Sequence, residues 1–250
     1  MQSQARSGER AAEVRSRRIA YSRDVVGRRL SHNEADAYLA AVDWLRGTLA
    51  RTEVAGVWDE PSVVARYSVG GLAAHAVHGV VWLEQLLTDA EPVGLRPVGV
   101  GEYFGLNRVG SEADEEVSED AFSASLRAAA EGFARTGINT VRAALTASRD
   151  QLVGLLDEAP DSRAVAVIRV TGGQVPLGDY LRTRVLEVVV HGDDLVCSVP
   201  GLVAPDPPRA SVDIALQVCL ELAEARVGGL AALRGFTRSE RALPGALRVL

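Results

Sequence analysis

The chain has 250 residues, of which 47% are hydrophobic and 24% are charged, and its formal net charge is −6. This composition is ordinary for a globular protein that is long enough to bury a full core. The negative net charge, and the absence of a basic face beyond the N-terminus, argue against a nucleic-acid partner. No apolar run reaches the roughly 18 residues of a membrane span, so we expect no membrane partner either.

The basic residues are all arginine, and lysine does not occur in the chain. This usage is typical of a high-GC genome, and it excludes Schiff-base and P-loop lysine mechanisms. Cys197 and Cys219 are too few for a disulfide framework, and we interpret them as buried thiols in a reducing compartment. The N-terminus lacks the apolar segment of a secretory signal. We therefore expect a cytoplasmic protein.

Two parts of the chain differ in composition. Residues 1–30 carry many arginines and few large apolar side chains, which predicts a flexible N-terminal extension. Residues 31–250 are expected to form one domain. Its first helix should run from about 32 to 53, because Ser31 and Glu34 have the spacing of a capping box before an amphipathic stretch. His32 would lie in its first turn, in solvent.

The second predicted helix begins after Ser68, a suitable N-cap, and runs from Val69 to about Thr88. It is rich in small and apolar residues and carries His75 and His78. A long loop at 90–116 follows, in which Tyr103 is one of the few large side chains. Loops of this length in compact domains are often functional, and we expect this one to form a lid or a wall of a substrate pocket.

Further elements follow in the second half of the chain. A helical region at 119–157 should be interrupted at Gly137, and the β-branched stretch 164–170 predicts one strand that enters a turn at Gly172 and Gly173. A fourth helix is expected at 177–197, and a fifth at 207–226 with Asp206 as its N-cap. A short polar tail would close the chain. The sequence thus predicts a mainly α protein: a four-helix bundle with an extra C-terminal helix and a minor β element.

Glu187 and His191 are the most informative pair of residues. Four residues apart on a helix, they share one face, and their neighbours are apolar. A carboxylate is costly to bury unless it is paired or binds a cation. A chance pair on the surface is the alternative interpretation, because this spacing is common.

A metal site needs a third ligand, and the second helix offers His75 or His78. These two lie about 300° apart on the helix, so only one of them can point at the site. Two histidines and one carboxylate suit Zn²⁺ with an open position, and iron, nickel or manganese would also accept them. Arg184 can clamp a substrate carboxylate or pair with an acidic neighbour. Asp194 can orient His191 or remain a surface charge.

These residues resemble a known signature. Arg184, Glu187, His191, Asp194 and Leu195 follow the order Arg-x-x-Glu-x-x-x-His-x-x-Asp-Leu. This string is similar to one in the mycothiol-dependent maleylpyruvate isomerase family, which belongs to the DinB-like four-helix metalloproteins. The segment from Tyr67 to His75 resembles the second signature of that family. The resemblance covers about 32–245, and residues 1–30 lie outside its pattern. We expect the sterol-carrier-like C-terminal domain of the full-length isomerase to be absent or vestigial.

The resemblance implies a divalent metal, usually zinc, held by His75, Glu187 and His191. It also implies mycothiol, the actinobacterial thiol, as cosubstrate or cofactor, and the arginine-only composition agrees with such a source. We assign catalytic roles to Arg184 and Asp194, and cofactor binding to Tyr103 and Arg184. The expected function is a mycothiol-using transferase or isomerase, as a monomer or homodimer, in which the metal activates the thiol for attack on an electrophile. The alternatives are a non-catalytic metal- or ligand-binding accessory protein and a metal-dependent hydrolase.

Overall fold

The computed structural model describes residues 32–104, 121–160, 162–167 and 172–237. Within these ranges the chain is mainly helical with one small sheet, which confirms the predicted fold class. The predicted N-terminal extension and the Ser31 cap lie outside the described residues, as does the side chain of His32. The helices are α1 (His32–Leu49), α2 (Thr52–Gly56), α3 (Val69–Thr88), α4 (Val100–Tyr103), α5 (Ala121–Ala134), α6 (Ile138–Glu158), α7 (Leu177–Ser198), α8 (Arg209–Val227) and α9 (Gly229–Thr237).

Four long helices form the bundle: α1, α3, α6 and α7. Helix α3 packs against α6 and α7, and α1 packs against the same two helices from the other side. The buried face of α1 is made by Tyr38, Val42, Leu45 and Leu49, at the spacing of one helix face. This packing brings α3 and α7, the two helices with the candidate ligands, into direct contact.

The remaining helices surround the bundle. Helix α5 packs on α3, α8 packs on α7 and α1, and α9 packs on α8. Gly137, with a φ of 94°, separates α5 from α6, as its position in the sequence predicts. None of the described helices is both long and apolar enough to cross a bilayer.

Helices α1 and α7 approach each other closely at Gly192, the residue after His191. A Cβ at this position would stand 2.1 Å from the Cζ3 atom of Trp44. The Trp44 ring is held in place, because its Nε1 donates a hydrogen bond to the carbonyl of Pro205 at 2.8 Å. The absence of a side chain at Gly192 therefore sets the distance between the two helices beside the candidate site.

A three-stranded sheet, in the order β1-β3-β2, lies at one side of the bundle. It consists of β1 (Arg96–Pro97), β2 (Ala164–Val167) and β3 (Gly173–Pro176). Strand β3 runs parallel to β1 and antiparallel to β2, with Val165 opposite Val175. The expectation of a single strand was therefore incomplete. Gly172 turns the chain with a φ of 73°, but Gly173 already belongs to β3.

Several predicted boundaries differ from the structure. The first helix ends at Leu49 rather than near 53, and α2 follows it after a break. The fifth helix begins at Arg209 with Pro208 as N-cap, so the assignment of Asp206 as the cap was wrong. Part of the expected polar tail forms α9, and the expected long loop contains β1 and α4.

The two cysteines are free. Cys219 is half-buried, but Cys197 is exposed, so the expectation of two buried thiols was wrong for Cys197.

Candidate metal centre

Glu187 and His191 lie one turn apart on α7 and are hydrogen-bonded to each other. The His191 Nε2 atom is 3.0 Å from Glu187 Oε2, and the side chains are only 20% and 26% exposed for His191 and Glu187 respectively. The predicted helix at 177–197 agrees with α7, Leu177–Ser198. The two side chains share the face that points toward α3.

His75 on α3 faces this pair. One ligand atom from each of His75, Glu187 and His191 can be chosen so that all three lie within 4.8 Å of one another. The His75 and His191 rings are 4.9 Å apart between centroids in an edge-to-face arrangement, and the Tyr67 ring lies 5.6 Å from the His75 ring. His78, the other candidate on the same helix, is not a member of this cluster. The structure thus brings together the three residues that the resemblance implies as ligands.

The three side chains fit a divalent metal. Two imidazoles and one carboxylate are the donor set of many catalytic zinc sites, in which ligand atoms about 2.0–2.2 Å from the metal stand about 3.4 Å from one another. The observed separations, up to 4.8 Å, require only a small contraction to reach this geometry. Among the described residues, no other group of three potential ligands converges in this way.

The protonation states of two ligands favour a cation. Burial, together with the neighbouring His191, lowers the pKa of His75 to about 4, so this imidazole is neutral at pH 7. Burial alone would raise the pKa of Glu187, but its hydrogen bond with His191 and the charge of Arg184 outweigh that effect and hold the pKa well below its ordinary value. Glu187 is therefore a carboxylate at neutral pH.

His191 carries a proton that a metal would have to displace. Burial acts to lower its pKa, but the carboxylates of Asp194 and Glu187 outweigh burial and raise the pKa above its ordinary value. Its Nδ1 atom lies 3.4 Å from Asp194 Oδ2, yet it makes no hydrogen bond with a described residue. The Asp194 carboxylate is thus near enough for an ionic interaction with His191 and lies outside hydrogen-bond geometry.

Arg184 lies one turn before Glu187 on α7, inside a cage of aromatic rings. Its guanidinium carbon is 5.5 Å from the Tyr103 ring centre and 5.0 Å from that of Tyr180. One terminal nitrogen, Nη2, donates a hydrogen bond to the Tyr103 hydroxyl and lies 3.7 Å from Glu187 Oε1. These contacts hold the guanidinium between the candidate ligands and the rings.

A cavity of about 200 Å³ adjoins the three candidate ligands. His75, Glu187, His191, Arg184 and Tyr103 line it, and Asp194 does not. Strand β2 contributes Ala166 and Val167 to its wall. Five further aromatic side chains, together with His78 and Leu126, complete the large groups of the lining: Tyr38, Trp82, Phe104, Phe122 and Tyr180. A mostly apolar cavity with a few convergent polar groups is typical of a small-molecule site.

Two tyrosines of this cavity were not identified from the sequence. Tyr180 falls on the same face of α7 as Arg184, Glu187 and His191, so helical spacing could have indicated it. Tyr38 lies on the buried face of α1, where a tyrosine is indistinguishable from a core residue until the packing is known.

The chain matches a model of a known protein family. Residues 38–196, more than half of the chain, match the family described as "Mycothiol maleylpyruvate isomerase N-terminal domain". The matched range begins in α1 and ends in α7, so it includes the three candidate ligands and Arg184. Searches of curated proteins and of solved structures gave no match. On the family match, the chain belongs to the mycothiol maleylpyruvate isomerase N-terminal domain family, a group of DinB-like helical domains.

Proposed function

We propose that this protein is a metal-dependent enzyme that uses mycothiol as cosubstrate or cofactor, in a transferase or isomerase reaction on an electrophilic small molecule. The family name supports the thiol and the isomerase chemistry. The convergence of His75, Glu187 and His191 beside a cavity is the observation that carries the proposal. We further propose zinc as the metal and the cytoplasm, where thiols are kept reduced, as the location.

A bound divalent metal would supply Lewis-acid chemistry at the cavity, which lowers the pKa of a thiol and favours its nucleophilic thiolate form. The chain offers no thiol of its own for this role, because neither Cys197 nor Cys219 lines the cavity. The nucleophilic sulfur in the proposal therefore belongs to the cosubstrate.

Three further residues have assigned roles in the proposal. Arg184 binds and orients the substrates, since its charge lies in the cavity wall. Tyr103 accepts a hydrogen bond from Arg184 and so fixes the direction of the guanidinium. Asp194 interacts with the outer nitrogen of His191 and increases the basicity of that ligand.

The cavity suits a reaction between a thiol and an activated double bond. In an isomerisation, the thiolate sulfur would form a bond to one alkene carbon while the electron pair of the double bond moves onto the adjacent carbonyl group. The resulting single bond would rotate, and the electron pair would return to form the double bond again as the thiolate leaves. In a transfer to the alkene, the sulfur–carbon bond would be retained and the adjacent carbon would take up the proton that the thiol had released. The aromatic and aliphatic lining lowers the polarity around Arg184, which would strengthen the interaction of its guanidinium with negative charge that develops on the electrophile.

Turnover by the zinc-loaded protein tests the proposal. Mycothiol is supplied with maleylpyruvate to detect isomerisation, and with 1-chloro-2,4-dinitrobenzene to detect thiol transfer. We expect turnover that requires both zinc and mycothiol and that is lost in His75→Ala together with the bound zinc.

His78→Ala is the matched control for metal binding, because His78 lies on the same helix but outside the ligand cluster, and it should retain zinc. Hydrolysis of an ester or amide without any thiol would contradict the proposal in favour of a hydrolase. A zinc-loaded protein that turns over neither substrate would contradict it in favour of a binding protein.

A further inference from the structure

Arg184 is a buried cation whose charge is only loosely compensated. Its side chain is 12% exposed, and the nearest carboxylate oxygen, Glu187 Oε1, is 3.7 Å from Nη2, beyond hydrogen-bond distance. The other oxygen of that carboxylate is engaged by His191. A buried guanidinium is best stabilised by paired hydrogen bonds to a carboxylate, and the described part of the chain supplies no such pair.

One nitrogen of this guanidinium is available to a ligand. Nη2 donates to Tyr103, and Nε reaches Thr183 Oγ1 at 3.3 Å. Nη1 forms no hydrogen bond with any described residue and lies beside Gly79, where a Cβ would be 3.8 Å away. Because Gly79 has no side chain and also lines the cavity, the space in front of Nη1 remains open.

Tyr38 provides a second polar group without a partner. Its side chain is fully buried, and its hydroxyl has no hydrogen bond within the described ranges. The same tyrosine lines the cavity and lies near enough to Arg184 to interact with its charge. Burial raises the pKa of the phenol, so the hydroxyl keeps its proton and can act as a donor. An unpaired buried hydroxyl is unfavourable, and a ligand oxygen would remove that penalty.

The net charge of the site also favours a bound anion. This charge includes the metal and the thiolate, so it rests on the proposed function. Two neutral imidazoles, one carboxylate and a divalent cation together carry a charge of +1, and Arg184 adds another. A thiolate would reduce the total to +1, so one more negative charge makes the cavity neutral. The Asp194 carboxylate, 3.4 Å from His191 Nδ1, offsets part of the positive charge from behind that ligand, but it does not line the cavity and does not pair with Arg184.

We propose that Arg184 and Tyr38 form a binding subsite for a carboxylate carried by the electrophilic substrate. Nη1 of Arg184 and the Tyr38 hydroxyl are the two donors, and the cage of Tyr103 and Tyr180 holds the guanidinium in position. The preferred substrates are then small electrophiles with a carboxylate close to the reacting carbon. Uncharged electrophiles of the same size leave both donors unpaired.

A matched pair of small thiols tests this subsite by calorimetric titration of the zinc-loaded protein. In 3-mercaptopropionate and 3-mercaptopropionamide the thiol is the same, and only the far end differs, as carboxylate or neutral amide. We expect the carboxylate probe to bind the wild-type protein at least about tenfold more tightly. Arg184→Gln should abolish this preference, and Tyr38→Phe should reduce it about threefold or more.

Tyr38→Phe also has a readout that does not depend on ligands. Because the variant removes an unpaired buried hydroxyl, the thermal midpoint of the ligand-free protein should not fall, although the carboxylate preference does. If Arg184→Gln does not fold, Gly79→Val narrows the approach to Nη1 without removing a buried charge, and should likewise lose the preference.

Equal binding of the two probes to wild-type protein would overturn the subsite, as would an undiminished preference in Tyr38→Phe or any preference that survives in Arg184→Gln. Failure of the proposed function is a different result, in which zinc is not retained and neither thiol binds. Retained zinc, a bound amide probe and no carboxylate preference would refute the subsite alone.

Discussion

Gly192→Ala is expected to destabilise the protein, although alanine is normally the better residue in a helix. The added Cβ would stand 2.1, 2.7 and 3.1 Å from three atoms of the Trp44 ring. Trp44 is nearly buried and donates a hydrogen bond to the Pro205 carbonyl, so the ring cannot move aside without loss of that bond. Relief of the overlap requires both a separation of α1 and α7 and a shift of the ring that breaks this hydrogen bond.

The magnitude follows from three effects. Overpacking of this kind costs about 1–3 kcal/mol, and loss of the Trp44 hydrogen bond adds about 1 kcal/mol. The higher helix propensity of alanine relative to glycine offsets about 0.5–1 kcal/mol of this loss. We therefore expect a decrease of about 1–3.5 kcal/mol in the free energy of unfolding. For a protein of this size, each kcal/mol lowers Tm by about 2–4 °C.

Denaturant unfolding and a thermal scan of metal-free protein measure the effect. Gly154→Ala is the matched control, since Gly154 is an exposed position in the C-terminal part of α6 and an added Cβ would meet nothing within 4 Å. This control should be stabilised by about 0.5–1 kcal/mol. Equal stabilisation in both variants would refute the close approach of α1 and α7 beside His191.

Three further predictions concern the charged groups. The pKa of His191 is raised to about 9 from 6.5. The interaction of the protonated imidazole with its carboxylate neighbours therefore stabilises the metal-free protein fully below pH 6.5, and this stabilisation is lost as the pH rises through 9. Because zinc must displace this proton, zinc binding should release about one proton at pH 7, and the affinity for zinc should rise about tenfold per pH unit up to pH 9. Calorimetry in buffers of different ionisation enthalpy measures the proton release, and zinc binding without proton release would contradict the prediction. Asp194→Asn should weaken zinc binding about tenfold or more in a competition with a chelator, and an unchanged affinity would remove the role of Asp194. Arg149→Ala breaks the partly exposed ion pair with Asp43 between α6 and α1. Denaturant unfolding should show that the free energy of unfolding falls by less than about 1 kcal/mol. A larger loss would contradict the view that this pair behaves as a surface ion pair.

Local spacing was sufficient to predict two of the three candidate ligands. Glu187 and His191 lie on one helix, so their separation in the sequence determines their separation in space. The choice between His75 and His78 depends on how α3 is rotated against α7, which spacing within one helix cannot give. The resemblance supplied that choice, and the structure places the His75 side chain near the pair.

The end of α1 and the start of α8 differ from the predicted boundaries for physical reasons. Arg142 on α6 donates hydrogen bonds to the carbonyls of Leu49 and Arg51, a tertiary contact at the end of α1 that local sequence does not reveal. The late start of α8 could have been predicted, because Pro208 disfavours the helical conformation for the residue before it, Pro207. A helix that begins at Pro207 is therefore unfavourable.

Strand β3 was missed because it is short and glycine-led, from Gly173 to Pro176. Its stability depends on two partners, β1 and β2, that are distant from each other in sequence. Tyr38 was missed for a similar reason: its position on a buried face is clear from periodicity, but the cavity beside it is formed only when α3 and α7 pack against α1.

Zinc stoichiometry is the most direct test of the central claim that His75, Glu187 and His191 form a metal site. Elemental analysis is performed on protein purified without chelator, beside Glu187→Gln and the control Asp193→Asn, which changes an exposed carboxylate on the same helix. We predict about one zinc per chain in the wild-type protein and in Asp193→Asn, and almost none in Glu187→Gln. A wild-type protein without metal after reconstitution with zinc, or equal metal in Glu187→Gln, would contradict the claim.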